Sequence, residues 1–524
     1  MRKIIPILII CCTGLFLTAS CKKKDKDLSG IEVHEEENTI SFDSTQVAGF
    51  FTKYPDFKEF EPEIKELYKK HDYHYIWYDR GGQIEFAAAL FDKVNQIKSE
   101  GVQNQLPYKQ QISDIFYESK EKSGPDVSSE LLISSMYFFY AKNVLQGLDP
   151  KESKESGWYL PREKVSYVSY LDTLMKDPNL LKKDDSELLP LYYDLKKGLQ
   201  KYTEIEEKGG WGTIEMKAGI KSLKPGDSSK TIAEVRKRLF ISGDLTKDSG
   251  SNQYDDELLQ AITAYKKRNS REMDNLITPD LVKHLNVPVQ DRIKSIVVNM
   301  ERCRWISTEL TKGGEYIAVN IPSYRMRYYK DDKVRLESNV VVGKEMNKTV
   351  VFSGQMSYLV FSPYWNIPKS IIEKEIKPGM AKDKNYLSKH NMEWNNGLVR
   401  QKPGDKNSLG LVKFMFPNSN NIYLHDSPAK SLFNKESRAF SHGCVRVQKA
   451  RDLAVAILED DKKWTPQKID KAMHAGKESS YALKKKIPVY IAYFTAFADE
   501  NGMISFFDDV YNRDARLASL LYKS

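Results

Sequence analysis

The hydrophobic period of this chain changes near residue 315, and that change limits what it can fold into. Before it, apolar residues recur at helical spacing. Phe86, Leu90, Val94 and Ile97 line one face ahead of Gly101, and the run from Leu131 to Leu145 is closed by Gly147. After it, Tyr316 to Ile321, Arg325 to Tyr329, Val334 to Val342 and Met356 to Phe361 alternate with a period of two and are rich in β-branched and aromatic residues. Lys330-Asp331-Asp332 and Gly343-Lys344 supply turns between some of them. One layer cannot serve both periods. The pattern predicts a multidomain α+β chain, helical first and then mostly β, as a sandwich or partly open barrel.

The β part contains the strongest chemical signal, Ser441-His442-Gly443-Cys444-Val445-Arg446, with His425 nineteen residues before the cysteine. A thiol is a weak nucleophile until it loses its proton, and a nearby imidazole is its usual base. Gly443 lets a substrate carbonyl approach backbone N–H groups, as an oxyanion hole requires. His425 ends the alternating run Ile422-Tyr423-Leu424-His425 before the turn signal Asp426-Ser427-Pro428. A single Cys or His is usually packing, but a set with this spacing is hard to read that way.

With 524 residues, 40% hydrophobic and 29% charged, the chain can bury two to four cores. Its net charge of +9 suits an acidic polymer. Interleaved Lys and Glu argue against a nucleic-acid partner. Arg2 and Lys3 precede an apolar run from Ile4 to Ala19, then Ser20-Cys21 and the charged run Lys22 to Asp27. This reads as a secretory signal over 1–21, with Cys21 as the lipidation site of a membrane-anchored lipoprotein, the alternatives being an uncleaved N-terminal anchor or ordinary cleavage. The remainder is then expected outside the cytoplasm, in the cell envelope or periplasm. Of the five cysteines, Cys11, Cys12 and Cys21 belong to that segment. A disulfide between Cys303 and Cys444 would consume the nucleophile, so Cys303 is expected to be a buried free thiol.

Residues 22–45 read as a tether, and 46–208 as a helical domain. In the latter, His71 and His74 lack further ligands at metal-site spacing, and their aromatic neighbours argue for packing. Residues 209–290 hold a Gly-rich connector and three short helices, marked by Ile232, Val235 and Leu239, by Leu258, Ile262 and Tyr265, and by Thr278-Pro279 to Asn286. A helix from Val289 to Leu310 spans the boundary, and residues 291–524 hold the β pattern. Residues 369–409 interrupt it, dense in Lys, Asn and Gly and leaning helical. An insertion of this length in a compact domain is seldom idle.

The His, spacer and Ser-His-Gly-Cys-Val-Arg set resembles the signature of the L,D-transpeptidases with a YkuD-type catalytic domain. Residues 315–366, KFMFPNSNNIYLHDSPAKSLF and RAFSHGCVRV are similar to its large periplasmic YcbB-like branch, and 46–208 more weakly to that branch's scaffold domain. The three helices resemble a peptidoglycan-binding-like module. The resemblance implies Cys444 as nucleophile and His425 as base, with a backbone carbonyl or Asp426 as its partner. His442 becomes a wall of the site. Gly443 and Cys444 N–H groups, helped by Tyr423, hold the oxyanion, while Ser441 and Arg446 shape the loop or the substrate's carboxylate. It implies an acyl-enzyme on a peptidoglycan tetrapeptide, release of D-alanine and 3→3 cross-links, with no metal or organic cofactor, carbapenems as covalent inhibitors and 369–409 as a cap. Wall synthases are possible partners. An L,D-carboxypeptidase would use the same residues with water as acceptor, and an inactive wall-binding scaffold is the alternative outside enzymes. A papain-like protease has its Cys before its His, the reverse of the order here.

Overall fold

The computed structural model describes residues 40–117, 126–162, 165–181, 188–310 and 312–522. The predicted signal segment and Cys21 lie outside the described residues. Buried apolar side chains fall into four clusters. The first, from Val47 to Leu181, is mostly helical, with one short hairpin at Tyr78–Asp79 and Gly82–Gln83, around Trp77, Tyr137 and Phe57, each fully buried. Its helix Glu85–Asn95 and the turn after it stop at Gly101, whose φ of +72° is left-handed. Gly147 closes the second predicted helix at φ +68° and has a further duty. A Cβ there would lie 2.1 Å from Glu301 Oε1, and that carboxylate accepts from Leu148 N–H at 2.6 Å and Trp305 Nε1–H at 2.8 Å. The helical region is thereby tied to the long helix Val289–Arg304.

The second cluster belongs to helices Lys230–Ile241, Asp256–Arg268 and Pro279–Leu285, at the predicted positions. Ser229, Asp255 and Thr278 each accept a backbone N–H at a helix start, which is why the sequence changes character there.

The largest core lies inside a closed barrel. Its strands are β1 (Tyr316–Asn320), β2 (Arg325–Lys330), β3 (Lys333–Gly343), β4 (Val351–Phe361), β5 (Val412–Met415), β6 (Leu424–His425), β7 (Val445–Val447) and β8 (Ser479–Ala492). Around the ring they run β5-β6-β7-β3-β2-β1-β8-β4, and pairing of Val412 to Met415 with Phe361 to Tyr358 closes it. Of the two forms that the pattern allows, the structure takes the barrel, and the barrel is closed. Within the ring β6 with β7 and β8 with β1 are parallel, and the short strands Trp158–Tyr159 and Ala439–Ser441 add parallel pairs to β4 and β3. The β2–β3 hairpin turns at Asp331 and Asp332, whose φ of 53° and 58° give the twist that a two-residue hairpin needs. Helices Pro190–Glu207 and Val289–Arg304 pack on each other, and Leu195, Leu199, Val297 and Met300 join this same core. Cys303 is buried in it as a free thiol whose pKa burial raises.

The sequence reading errs in the helix expected to reach Leu310, which ends at Arg304, and at two further places. The insertion is not helical throughout: after short helical turns it forms a hairpin, Met392–Asn395 with Leu398–Gln401, which also pairs with Trp365–Asn366. Its small core of Ile367, Ile371, Ile372, Ile376 and Val399 is separate from the barrel's. Hairpin residues alternate weakly because only one face meets that small core. Similarly, β4 starts at Val351, five residues earlier than the alternation from Met356 indicates, since Ser353, Gly354 and Gln355 carry no apolar side chain.

Candidate active site

His425 and Cys444 are brought together by strand pairing. Leu424 points into the barrel core and His425 to the outside, yet His425 is only 4% exposed. The parallel register pairs Leu424 with Val445 and His425 with Arg446. Cys444, one residue before Val445, therefore lies alongside Tyr423, whose carbonyl accepts the Val445 N–H at 3.2 Å. A spacing of nineteen residues in sequence becomes adjacent strands in the sheet.

The loop carrying Cys444 is fixed by its own polar groups. Ser441 Oγ donates to the Cys444 carbonyl at 2.6 Å and accepts the Gly443 N–H at 3.1 Å. Thr349 Oγ1 donates to the Gly443 carbonyl at 2.8 Å. Gly443 has φ +118°, and a Cβ would meet nothing closer than Asn347 O at 3.8 Å. Glycine is thus required by backbone conformation and not by crowding. Since the Gly443 N–H is spent on Ser441, the Cys444 N–H is the loop donor left for an oxyanion.

His425 Nδ1 meets the Asp426 carbonyl at 2.5 Å, and the Leu409 carbonyl also lies against the ring. With the proton on Nδ1, Nε2 carries the lone pair a base needs. The Asp426 carboxylate is committed elsewhere. Oδ1 takes Lys430 Nζ at 2.6 Å and Oδ2 the Leu411 N–H at 3.0 Å. Of the two partners the sequence allows, the backbone carbonyl holds the imidazole.

Burial, and then the Arg446 cation, depress His425 to about 4, so the ring is neutral at physiological pH. Burial pushes the Cys444 thiol up, opposed by hydrogen bonds from Tyr423 and by Arg446. Its Sγ lies 3.7 Å from the Asn421 carbonyl. The resting pair is thiol and neutral imidazole. Burial and the neighbouring sulfur likewise hold the Tyr423 phenol above its ordinary range.

Arg446 is partly buried; its Nε is buried without a partner, and no ion pair to it occurs among the described residues. This cation favours thiolate and disfavours imidazolium. Arg446→Gln is expected to move the midpoint of thiol alkylation, followed with iodoacetamide across pH, upward by about one unit, a tenfold loss of thiolate.

His442 lies on the solvent side of the loop, its Nε2 2.9 Å from Glu375 Oε1 of the insertion. No sequence signal marks Glu375, since the contact spans 67 residues. Asn421, Thr349 and Leu409 also escape sequence reading, because they act through backbone carbonyls or one hydroxyl. Away from the site, His71 Nε2 meets Asp172 at 3.1 Å and His74 Nδ1 the His71 carbonyl at 2.9 Å.

Residues 314–469 match the model of the YkuD L,D-transpeptidase catalytic domain, and 62–199 that of a scaffold domain. A Haemophilus influenzae protein named "Putative L,D-transpeptidase" is 37% identical over 222 residues, covering 38% of this chain and 45% of the relative. The chain thus spans about half the length of this curated relative. A solved L,D-transpeptidase fragment from Xylanimonas cellulosilytica is 12% identical, with a TM-score of 0.18 over 53% of this chain and 100% of that one. An L,D-transpeptidase from Stackebrandtia nassauensis is 13% identical, with a TM-score of 0.20 over 53% and 95%. The chain carries the catalytic domain of the L,D-transpeptidases over residues 314–469, preceded by a scaffold domain over 62–199.

Proposed function

We propose that this chain forms 3→3 cross-links between peptidoglycan stems by acyl transfer through Cys444. His425 Nε2 takes the thiol proton as Sγ attacks the carbonyl of the diamino acid at position three of a tetrapeptide. The Cys444 N–H steadies the oxyanion, with Tyr423 beside it. The C–N bond to the terminal D-alanine breaks, His425 returns the proton to that amine, and a thioester remains. The side-chain amine of a second stem then displaces the sulfur. The observation that carries this reading is the neutral thiol and neutral, carbonyl-held imidazole on adjacent parallel strands. Arg446, with its buried unpartnered Nε, suits a carboxylate of the stem.

On this reading the protein works in the cell envelope, anchored by a lipid at Cys21, with the three-helix region as its wall-binding module. Incubating the soluble chain with disaccharide-tetrapeptide and weighing the products tests it. A cross-linked dimer is expected. Tripeptide alone would indicate a carboxypeptidase, and unchanged substrate an inactive wall-binding scaffold.

The insertion bears on why amine should win over water. A thioester prefers amines, and a cap can exclude water and position the acceptor. Tyr386 lies in the insertion's own small core, whereas Trp394 is 54% exposed. Replacing 369–409 by a short Gly-Ser loop is expected to preserve carbapenem acylation but to shift product from dimer to tripeptide. An unchanged dimer-to-tripeptide ratio in a folded variant would make the insertion decoration.

A further inference from the structure

The proposed transfer needs two nucleophiles activated in turn, a thiol and then an amine, and the site holds two imidazoles in different settings. His425 is buried and faces the thiol's strand. His442 is on the solvent side of the loop, and the insertion presents a carboxylate to it: Glu375 Oε1 is 2.9 Å from His442 Nε2. The neighbouring Glu373 is spent on Lys377 at 2.7 Å, but Glu375 has His442 alone as its side-chain hydrogen-bond partner among the described residues, and its side chain is 51% exposed.

We propose that Glu375 and His442 form the acceptor site, which rests on the transpeptidase reading above and names the groups that handle its second substrate, a primary alkyl ammonium. Such an amine, with an ordinary pKa of about 10.4, is almost wholly protonated at neutral pH and cannot attack. The Glu375 carboxylate holds the cation beside the thioester. With Nε2–H donated to Glu375, His442 keeps its Nδ1 lone pair as a proton acceptor. One ammonium proton leaves to solvent through the exposed carboxylate. The amine lone pair forms the C–N bond, the C–S bond breaks with its electron pair going to Cys444 Sγ, and the second proton passes to His442 Nδ1. The products are an amide, a thiolate and imidazolium, and transfer of that proton to sulfur restores the resting pair.

Glu375→Gln tests this in the full chain, because glutamine keeps an oxygen for the His442 bond and removes only the charge. The enzyme is acylated with tetrapeptide, and the thioester is partitioned between water and either a stem amine or hydroxylamine, which is uncharged at neutral pH. Expected are an acylation rate within twofold of wild type, a stem-amine partition lowered about tenfold and a hydroxylamine partition unchanged. An unchanged stem-amine partition overturns the acceptor site. So does an equal loss with hydroxylamine, which is the mark of a purely structural latch. If the wild type forms neither dimer nor tripeptide, the transpeptidase reading fails and this inference with it. A wild type that forms dimer beside an unaffected variant sinks the acceptor site alone.

Discussion

Cys444→Ala is expected to lower turnover of a tetrapeptide by about 10⁴-fold or more, because in the proposed mechanism the sulfur is the atom that becomes acylated and no neighbour can replace it. The fold should survive. Sγ has polar contacts with the Asn421 carbonyl and Tyr423, while the loop's shape rests on Ser441 Oγ, Thr349 Oγ1 and the φ of Gly443, none of which involve sulfur. The melting temperature should therefore move little. A carbapenem should add its mass to the native protein and leave the variant untouched. Retained turnover in Cys444→Ala would overturn the reading of this site.

The barrel could be read from the sequence wherever a strand has one face in the core and one in solvent. β1 and β2 alternate because Ile317, Val319, Met326 and Tyr328 point inward between half-exposed neighbours. The same argument explains the failures. β6 has only two residues, both buried, one by the core and one by the site, so its alternation is supplied by flanking Ile422 and Tyr423. The first half of β8 carries three lysines on an exposed arm, and the insertion's hairpin has too small a core to impose a pattern. Closure of the ring depends on register between β4 and β5, about fifty residues apart, which no local pattern records. At the site, side chains with distinctive chemistry were legible: Cys444, His425 and Gly443 stand out by type and spacing. The groups that tune them were not. The carbonyl holding His425 could belong to any residue. The choice between that carbonyl and the Asp426 carboxylate is made by Lys430 and the Leu411 N–H, which take both carboxylate oxygens. Glu375 is one acid among many until the insertion folds over the loop.

The base is the point at which geometry and titration make a joint prediction. His425→Ala should slow acylation by about 10²–10⁴-fold, with a far smaller change in substrate binding, because the neutral thiol then has no group to take its proton in the transition state. A preformed thiolate would make the variant tolerant, but burial raises the Cys444 thiol and works against one. The imidazole leaves a second signature, in stability. Its folded value near 4 is below the ordinary 6.5, so between those values the unfolded chain binds the extra proton. Stability is then full above pH 6.5 and falls as pH drops toward 4, by about 3 kcal/mol over the window. His425→Ala should lose this slope in a melting series between pH 4 and 7. His442→Ala should keep both the slope and the acylation rate, since His442 is exposed and its proposed work begins only after the thioester exists. If His442→Ala instead lowers thiol reactivity more than His425→Ala does, the two imidazoles have exchanged roles, and the carbonyl-held ring on β6 is a structural residue.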